Sequence, residues 1–368
     1  MTKLYSKFIG LLKSKYPSAN SLKDLDTRVA NIVSAQSITL PKKVLERAQH
    51  CINQIYPYSQ SKKHVEQIFS KCSPQDQDIL NFPVKNHSVL SAYDFHYDPN
   101  TQNIYLIEIN TNAAAFLLSE LMYDAAVLTN PLPSIDLLKK SFQKEFGFIN
   151  TLKKPRIAII DEAPDQQKMY VEFLMYKDFF EKMGLTCEIC DFKNFDADKF
   201  DYVYNRYTDF TFSRPDSIHL REAYLSSRVL FSPHPRDYIL FASKERMIDF
   251  YNAQISDCVL ETIDLSNNAD LETIWSDRKK YFFKPKRSFG AKSVYKGGSI
   301  SRSAFAKMIE HDAIAQQVVP ADEIMGWKYD LRFYTYENEI QNVIARSYQG
   351  QVTNFSHLGG GLTPVIFN

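Results

Sequence analysis

The sequence predicts an α/β protein with a Rossmann-like parallel sheet, further α+β elements and a helical N-terminal region. A strand, an amphipathic helix and a second strand follow one another between residues 156 and 192, which is the βαβ order of a parallel sheet. Alternating strands separated by short turns predict hairpins at 91–110 and 329–346. Apolar residues at helical spacing occur through the first 75 residues.

The composition is that of a globular protein with more than one domain. The chain has 368 residues, of which 44% are hydrophobic and 24% are charged. A net charge of +1 gives no reason to expect nucleic acid or an anionic membrane as a partner. No stretch approaches the ~18 uninterrupted apolar residues of a membrane-spanning helix. We therefore expect a cytoplasmic protein.

The cysteines fit a reducing compartment. There are five, an odd number widely scattered along the chain, which argues against a disulfide framework. Cys187 and Cys190 form the one close pair, on a predicted strand. Residues three apart on a strand face opposite sides, so packing is favoured over a redox or zinc role.

A polar-ended strand around residue 108 predicts a metal site. Glu108 and Asn110 are two apart and therefore point the same way. Turn formers at residues 98–100 separate this strand from an upstream strand that carries Asp94, so a hairpin places Asp94 opposite Glu108. Asp94, Glu108 and Asn110 are hard oxygen donors of the kind that Mg²⁺ prefers. The alternative is a solvated hairpin whose polar residues face water.

The βαβ segment predicts a ligand site at the carboxyl edge of its sheet. Strands at 156–161 and 185–192 flank the helix at 165–183, and the turn after the first strand has no glycine, which argues against NAD or FAD. A third strand, 200–205, delivers Arg206 at its carboxyl end, where open α/β sheets place ligands. A surface salt bridge is the alternative for Arg206.

A basic strand followed by a small-residue loop predicts a phosphate site. The strand spans 281–287 and the loop spans 288–298. Lys284 would supply a point charge, and the loop would supply backbone N–H donors. The alternative is a basic hairpin that faces solvent.

The C-terminal segment adds two predicted strands and a glycine run. Asp330 and Arg332 share one strand face, so they either pair with each other or leave Arg332 to face phosphates together with Arg346 of the partner strand. Three consecutive glycines at 359–361 predict a close backbone approach to a ligand or to another strand.

In this order the segments resemble the ATP-grasp superfamily of ligases with circularly permuted motifs. In the usual order the acidic metal strand follows the phosphate loop and the D-x-R strand, whereas here it comes first. The order is similar to that of eukaryotic-type glutathione synthetase, in which an I-E-I-N-T strand precedes a K-P-x-R loop. Residues 107–111 and 284–287 match these two motifs. Phe289 and Ala291 depart from the denser glycine run of the permuted synthetases.

The resemblance covers the chain from about residue 90 to its end and implies a role for each candidate residue. It makes the helix at 41–55 the permuted continuation after Asn368. The Mg²⁺ ligands would be Asp94, Glu108 and Asn110. The ATP-binding residues would be Lys244, Lys284, Lys286, Gly290, Ala291, Ser293, Gln317 and Val318, the last two in the adenine pocket. The residues facing the γ-phosphate or the acyl group would be Arg332, Arg346 and Asn354, and the substrate-binding residues would be Arg206 and Asn112.

The resemblance also implies four segments. Residues 1–150 would hold the helical region and the metal-binding hairpin, part of the ATP-grasp large lobe. Residues 151–240 would form a Rossmann-like substrate domain. Residues 241–320 would form the small lobe with the phosphate loop, and residues 321–368 would supply further strands of the large lobe.

The implied activity is Mg²⁺-dependent ligation of a carboxylate to an amine, driven by ATP through an acylphosphate. The expected partners are ATP, Mg²⁺ and a small-molecule or peptide substrate with a carboxylate and an amine acceptor. Neither nucleic acid nor a membrane is expected, and a homodimer is left open. Two other activities stay open: an ATP-binding regulatory module without ligase activity, and a small-molecule phosphotransferase.

Overall fold

The computed structural model describes residues 2–149, 153–266, 270–287, 294–351, 353, 355 and 357–368. Within these ranges the strands are β1 (Ile38–Leu40), β2 (Ser91–Asp98), β3 (Asn103–Asn110), β4 (Arg156–Asp161), β5 (Thr186–Asp191), β6 (Tyr202–Asn205), β7 (Leu230–Ser232), β8 (Thr262–Asp264), β9 (Tyr281–Pro285), β10 (Tyr295–Lys296), β11 (Ala313–Gln317), β12 (Glu323–Ile324), β13 (Trp327–Tyr336), β14 (Glu339–Tyr348), β15 (Gly361–Thr363) and β16 (Val365–Phe367).

The α-helices of the same ranges are α1 (Lys3–Lys15), α2 (Pro17–Asn20), α3 (Leu25–Val29), α4 (Lys43–Ser59), α5 (Lys62–Phe69), α6 (Pro74–Asn81), α7 (Phe116–Ala126), α8 (Ser134–Phe146), α9 (Tyr170–Lys182), α10 (Ile218–Leu225), α11 (Pro235–Asp237), α12 (Arg246–Asn252), α13 (Leu271–Ser276) and α14 (Arg302–Glu310). A π-helical turn, Tyr238–Ala242, follows α11. Serine side chains cap several of these helices, because a hydroxyl oxygen satisfies a backbone N–H that the first turn leaves unpaired: Ser61 caps α5, Ser73 caps α6 and Ser301 caps α14. None of the helices in the described part of the chain is long and apolar enough to span a bilayer.

A central antiparallel sheet joins the two ends of the sequence. Its strand order is β15-β14-β13-β2-β3, and β12 pairs with β13. The predicted hairpins 91–110 and 329–346 are both confirmed, since β2 pairs with β3 and β13 pairs with β14. The sheet is completed by the antiparallel pairing of β2 with β13, two strands that are far apart in sequence.

The register of the central sheet aligns Glu108, Asp94 and Arg332 in one cross-strand row, with Asp330 and Arg346 in the adjacent row of the same face. Asp94 lies opposite Glu108 on β3 and opposite Arg332 on β13, and Asp330 lies opposite Arg346. Directly opposed residues of an antiparallel pair project from the same face of the sheet. A register shift immediately after Asp94 marks a bulge next to this row.

A parallel sheet confirms the Rossmann-like prediction. Its order is β5-β4-β6-β7, all strands are parallel, and α9 connects β4 to β5. The apolar run Ile157–Ile160 is fully buried, as expected for a strand covered on both faces. The strands of this sheet therefore end at one edge, where Asp161 and Arg206 lie.

A smaller antiparallel sheet has the order β10-β9-β11-β8 and its own hydrophobic core. Phe283 and Phe305 meet edge to face in that core, with ring centroids 5.2 Å apart. The sheet is tied to the central sheet where Leu106 N donates to Cys258 O at 2.8 Å.

The N-terminal region packs against the C-terminal strands. β1 pairs in parallel with β16, and Lys42 N donates to Asn368 O at 2.9 Å. The end of β16 therefore lies beside the start of α4. Gly361 is also placed here, with a φ of +117°, and a Cβ atom on it would lie 2.3 Å from Ile32 O. This confirms the predicted close approach of the glycine run to another segment of backbone.

One cysteine pair differs from the sequence prediction. Cys51 on α4 and Cys258 form a disulfide, with Cα atoms 6.6 Å apart and a sequence separation of 207. A scattered odd number of cysteines gave no sign of this pairing, because the contact depends on how α4 packs against the segment that precedes β8. Cys187 and Cys190 are free; Cys187 is buried in one hydrophobic core and Cys190 packs against another.

Candidate active site

Two cavities meet at the row of charged residues. The inter-sheet cavity has a volume of about 210 Å³ and lies between the central sheet and the small antiparallel sheet, with Lys284 and Arg346 among its lining residues. The parallel-sheet cavity has a volume of about 280 Å³ and is lined by the carboxyl edge of the parallel sheet and by residues 108–114. The residues that line both cavities are Glu108, Asn110, Lys244 and Arg332.

Asp94 is the fixed centre of the row. Arg332 donates from Nε to Oδ1 at 2.8 Å and from Nη2 to Oδ2 at 2.7 Å, and Arg346 donates from Nη2 to Oδ2 at 2.9 Å. Burial alone raises the pKa of a carboxyl group, but the charges of Arg332 and Arg346 outweigh it and hold the pKa of Asp94 below its usual value. Asp94 is therefore an ionised carboxylate that orients two guanidinium groups.

The second arginine has a second carboxylate partner. Arg346 donates from Nε to Asp330 Oδ1 at 2.7 Å and from Nη2 to Asp330 Oδ2 at 2.9 Å. Thr353 Oγ1 also donates to Asp330. Of the two alternatives for Arg332, the ion pair with Asp330 is wrong, because each aspartate instead binds an arginine from a neighbouring strand. Arg332 and Arg346 lie together, as the other alternative requires.

The three predicted metal ligands also lie together. Asn110 Nδ2 donates to Asp94 Oδ2 at 3.1 Å and to Glu108 Oε1 at 3.3 Å. The oxygens of Asp94 already accept from two arginines, so Glu108 and the Asn110 carbonyl are the donors that suit a cation. Within the described residues no group of three His, Cys, Asp or Glu side chains could hold a metal. The donor set fits Mg²⁺, which binds through one or two carboxylates and completes its shell with water and phosphate oxygens.

Two lysines approach the same acidic residue. Lys284 is buried, and its Nζ donates to Gln316 Oε1 at 2.6 Å and to Ile107 O at 3.2 Å. Its pKa is lowered to about 8, because burial and the nearby charge of Lys244 outweigh the attraction of Glu108. Burial also lowers the pKa of Lys244, against the attraction of Glu108.

Lys284 has no carboxylate within ion-pair distance in the part of the chain that the structure describes. A buried ammonium group held only by neutral carbonyl oxygens is costly unless an anion completes its environment. The inter-sheet cavity is thus suited to a negatively charged ligand beside Lys284.

Lys286 is placed away from the site, contrary to the prediction. Its ammonium group lies 3.0 Å from Asp264 and 2.5 Å from Asp312, and it does not line the inter-sheet cavity. Strand β9 ends at Pro285, so the alternation that would place Lys284 and Lys286 on one face stops before Lys286. This placement gives no support to a role of Lys286 in nucleotide binding, which stays a prediction.

Gln317 and Val318 are not part of the inter-sheet cavity either. Gln317 N donates to Glu261 O and Val318 N donates to Lys280 O, both at 2.8 Å. Gln317 lines a separate surface cleft with Tyr105. Both backbone N–H groups are therefore taken by protein acceptors, and the role of these two residues in adenine binding stays a prediction. The remaining predicted residues Gly290, Ala291, Ser293 and Asn354 lie outside the described residues.

Arg206 and Asn112 both line the parallel-sheet cavity, where the strand-end rule places them. Arg206 Nη1 donates to Ala113 O at 3.1 Å, and Asn112 Nδ2 donates to Arg206 O at 2.9 Å. On the other side of the same loop, Arg332 Nη1 donates to Ala114 O at 3.5 Å. Arg206 and Arg332 thus bind consecutive carbonyl groups, which links the two cavities through a loop of small residues.

Two residues of the site were missed by sequence reasoning. Asp161 lines the parallel-sheet cavity at the end of β4, and burial raises its pKa to about 6. The strand-end rule that identified Arg206 applies equally to Asp161. Gln316 orients Lys284, and no sequence signal marks it, because that contact depends on the pairing of β9 with β11.

Several solved structures are similar to this chain, with TM-scores below 0.5. A candidate gamma-glutamylcysteine synthetase from Methylobacillus flagellatus KT shows 10% identity over 90% of this chain and 89% of that one, with a TM-score of 0.46. D-cycloserine synthetase DcsG shows 15% identity over 52% and 75%, with a TM-score of 0.37. The ATP-grasp ligase PsnB, solved with a phosphomimetic variant of its minimal precursor, Mg and ADP, shows 9% identity over 59% and 89%, with a TM-score of 0.30. No protein-family model and no curated protein matches the chain. Likenesses this weak carry no part of the functional assignment.

Proposed function

We propose that this protein is a Mg²⁺- and ATP-dependent carboxylate–amine ligase with a circularly permuted ATP-grasp fold. One observation carries the proposal. The buried ammonium group of Lys284 has no carboxylate partner in the described ranges, and it lies in the same cavity as Glu108, Asn110 and two arginines held by aspartates. A cavity with cationic groups on its walls and an acidic residue beside an amide suits a polyphosphate with its metal ion.

The permuted order is supported by the position of the last strand. The end of β16 lies against the start of α4, so α4 occupies the place expected of a segment that follows Asn368. The four proposed segments are supported in the same way. The parallel sheet falls within 151–240, the small antiparallel sheet falls within 241–320, and the central sheet combines strands from 1–150 and 321–368.

Charge is the obstacle to the proposed reaction, since a carboxylate must approach a polyphosphate. Lys284 and Lys244 are proposed to contact the phosphate groups, and Arg332 and Arg346 to stabilise the transferring phosphoryl group. Both arginines are already held by Asp94 and Asp330, so their orientation costs little reorganisation when charge develops. Mg²⁺, held by Glu108 and Asn110, would neutralise phosphate oxygens.

The proposed reaction has two steps. A substrate carboxylate attacks the γ-phosphorus of ATP, and ADP leaves with an acylphosphate formed. An amine nitrogen then attacks the acyl carbon and displaces inorganic phosphate, which gives the amide. Arg332 lines both cavities, so it lies where the phosphoryl group and the acyl group would meet.

Calorimetry with Mg-ATP tests the nucleotide site. Wild type should bind, and Lys284→Met should lose at least ~tenfold in affinity. Lys139→Met, at an exposed lysine on α8, should bind as wild type does. Equal affinities for the two variants would contradict the assignment of Lys284.

Product analysis tests the reaction class. ADP release that requires both a carboxylate and an amine in amino-acid and amine mixtures supports a ligase. Binding without any acceptor-dependent ADP would instead indicate a regulatory module, and phosphate retained on a small molecule would indicate a phosphotransferase.

A further inference from the structure

We propose that the parallel-sheet cavity binds one substrate as a free α-amino acid with an apolar side chain, its carboxylate on Arg206 and its ammonium group on Asp161. Its role as a ligase substrate rests on the function proposed above, whereas its binding does not. Each of the three chemical features of such a ligand has a counterpart on the cavity wall.

The cationic counterpart is Arg206. It is 7% exposed, and no carboxylate lies within ion-pair distance of it in the described ranges. Among the described residues, its Nη1 donates to the carbonyl of Ala113 at 3.1 Å and to the hydroxyl of Tyr204 at 3.4 Å. A guanidinium group presents its donors in a planar fork that matches a carboxylate, so a buried one without such a partner is suited to a ligand carboxylate.

The anionic counterpart is Asp161. It is also 7% exposed, and no lysine, arginine or histidine forms an ion pair with it among the residues that the structure describes. Its Oδ1 accepts from Glu162 N at 2.8 Å. Burial raises the pKa of this carboxyl group to about 6, against the attraction of the nearby charge of Arg206.

The two charges leave adjacent parallel strands at the same edge. β4 pairs with β6, and Arg206 N donates to Ile160 O at 2.9 Å, which places Arg206 next to Asp161. Two opposite charges side by side in one cavity, neither with an ion-pair partner, match a zwitterion. Asn112 adds an acceptor, since its Oδ1 is buried without a hydrogen-bond partner in the described structure while its Nδ2 is fixed on Arg206 O.

One part of the remaining wall is apolar, whereas Glu108, Lys168, Lys244 and Arg332 make another part of it charged. Phe210 and Tyr238 stack with ring centroids 4.4 Å apart, and Met169 and Phe173 also line the cavity. A volume of about 280 Å³ is at the lower end of small-molecule sites. The proposed amino acid would place an apolar side chain against this apolar part, and the volume suits a single amino acid better than a long peptide.

Calorimetry with L-leucine in the absence of nucleotide tests the binding. Leucinamide, which lacks the carboxylate, and N-acetyl-leucine, which lacks the ammonium group, should each bind wild type at least ~tenfold more weakly. L-glutamate should also bind more weakly than L-leucine. Equal binding of leucine and both derivatives would overturn the proposal.

Two variants assign the charges to residues. Arg206→Met should bind leucine and leucinamide equally, and Asp161→Asn should bind leucine and N-acetyl-leucine equally. The matched controls are Arg228→Met and Asp198→Asn, exposed residues outside the cavity that should retain the wild-type preferences. If Arg206→Met fails to fold, Arg206→Lys serves instead, because it keeps the charge and loses the fork. Variants that keep the wild-type preferences would overturn the proposal.

The two proposals fail separately. Wild type that binds Mg-ATP but no amino acid would overturn only the inference. Wild type that binds leucine through Arg206 and Asp161 but no Mg-ATP would overturn only the ligase.

Discussion

Arg332 binds Asp94 through both carboxylate oxygens, at 2.8 Å and 2.7 Å, although 238 residues separate them along the chain. The pair is buried, and it joins β2 of the N-terminal half to β13 of the C-terminal segment. Since Arg346 shares the same carboxylate, one aspartate positions both arginines of the proposed phosphoryl site.

Removing Asp94 should therefore destabilise the fold more than removing a functional carboxylate does. Asp94→Ala leaves the buried guanidinium group of Arg332 without its carboxylate and leaves Arg346 with Asp330 alone, and breaking a buried pair in this way costs about 3–5 kcal/mol. Urea denaturation should show this loss as a lower midpoint with an unchanged slope. A midpoint within error of wild type would show that Asp94 does not hold the two arginines in solution.

Removing Glu108 should lower activity and leave the stability of the fold nearly unchanged. Glu108→Ala should lower Mg²⁺-dependent ATP turnover by at least ~10²-fold, as expected when one preorganised charged group is removed, with little loss of stability. Glu188→Ala, an exposed glutamate on β5, is the matched control and should keep full turnover. Normal turnover in the Glu108 variant would remove the metal assignment.

Periodicity predicted which residues share a face, but not which of them pair. It placed Asp94 opposite Glu108 through the hairpin and Arg206 at a strand end through the βαβ order. It offered Asp330 as the partner of Arg332 because the two are two residues apart on one strand. Such residues lie about 6.6 Å apart along the strand, whereas directly opposed cross-strand residues lie about 5 Å apart. Asp94 is opposed to Arg332, so the cross-strand partner is the closer one.

Two other differences also arise from tertiary contacts. Lys286 turns to Asp264 and Asp312 because β9 ends one residue before it. Cys51 meets Cys258 because α4 packs against the segment that precedes β8. Neither contact leaves a local signal, since each depends on segments that meet only in the folded chain.

The glycine run should be sensitive to a single methyl group. A Cβ atom at Gly361 would lie 2.3 Å from Ile32 O, and its φ of +117° is disfavoured for any residue with a side chain. Gly361→Ala should therefore cost more than ~2 kcal/mol of unfolding free energy. Gly10→Ala is the control, since Gly10 lies within α1 with open space around it and alanine there should stabilise by ~0.5–1 kcal/mol. Thermal denaturation should show a lower Tm for Gly361→Ala and a higher Tm for Gly10→Ala than for wild type. Equal changes in Tm for the two variants would contradict the close approach at Ile32.

The affinity of the parallel-sheet cavity for L-leucine should depend on pH. Burial, with Glu162 and Asp191 nearby, raises the pKa of Asp161 to about 6 against the attraction of Arg206. An ammonium ligand needs the ionised carboxylate, so the affinity of wild type for L-leucine should fall as pH drops below about 6, approaching ~tenfold per pH unit.

The raised pKa of Asp161 also makes stability depend on pH, but stability should fall as pH rises, whereas leucine affinity should increase. The folded state binds the Asp161 proton more tightly than the unfolded state does, so the contribution of this group to stability is lost as pH rises from about 4 through about 6. Asp161→Asn should thus be at least as stable as wild type at pH 7.5, and its leucine affinity should not change between pH 5 and 7. Calorimetry and denaturation over that range measure both quantities. A pH dependence that persists in Asp161→Asn would assign the titration to another group.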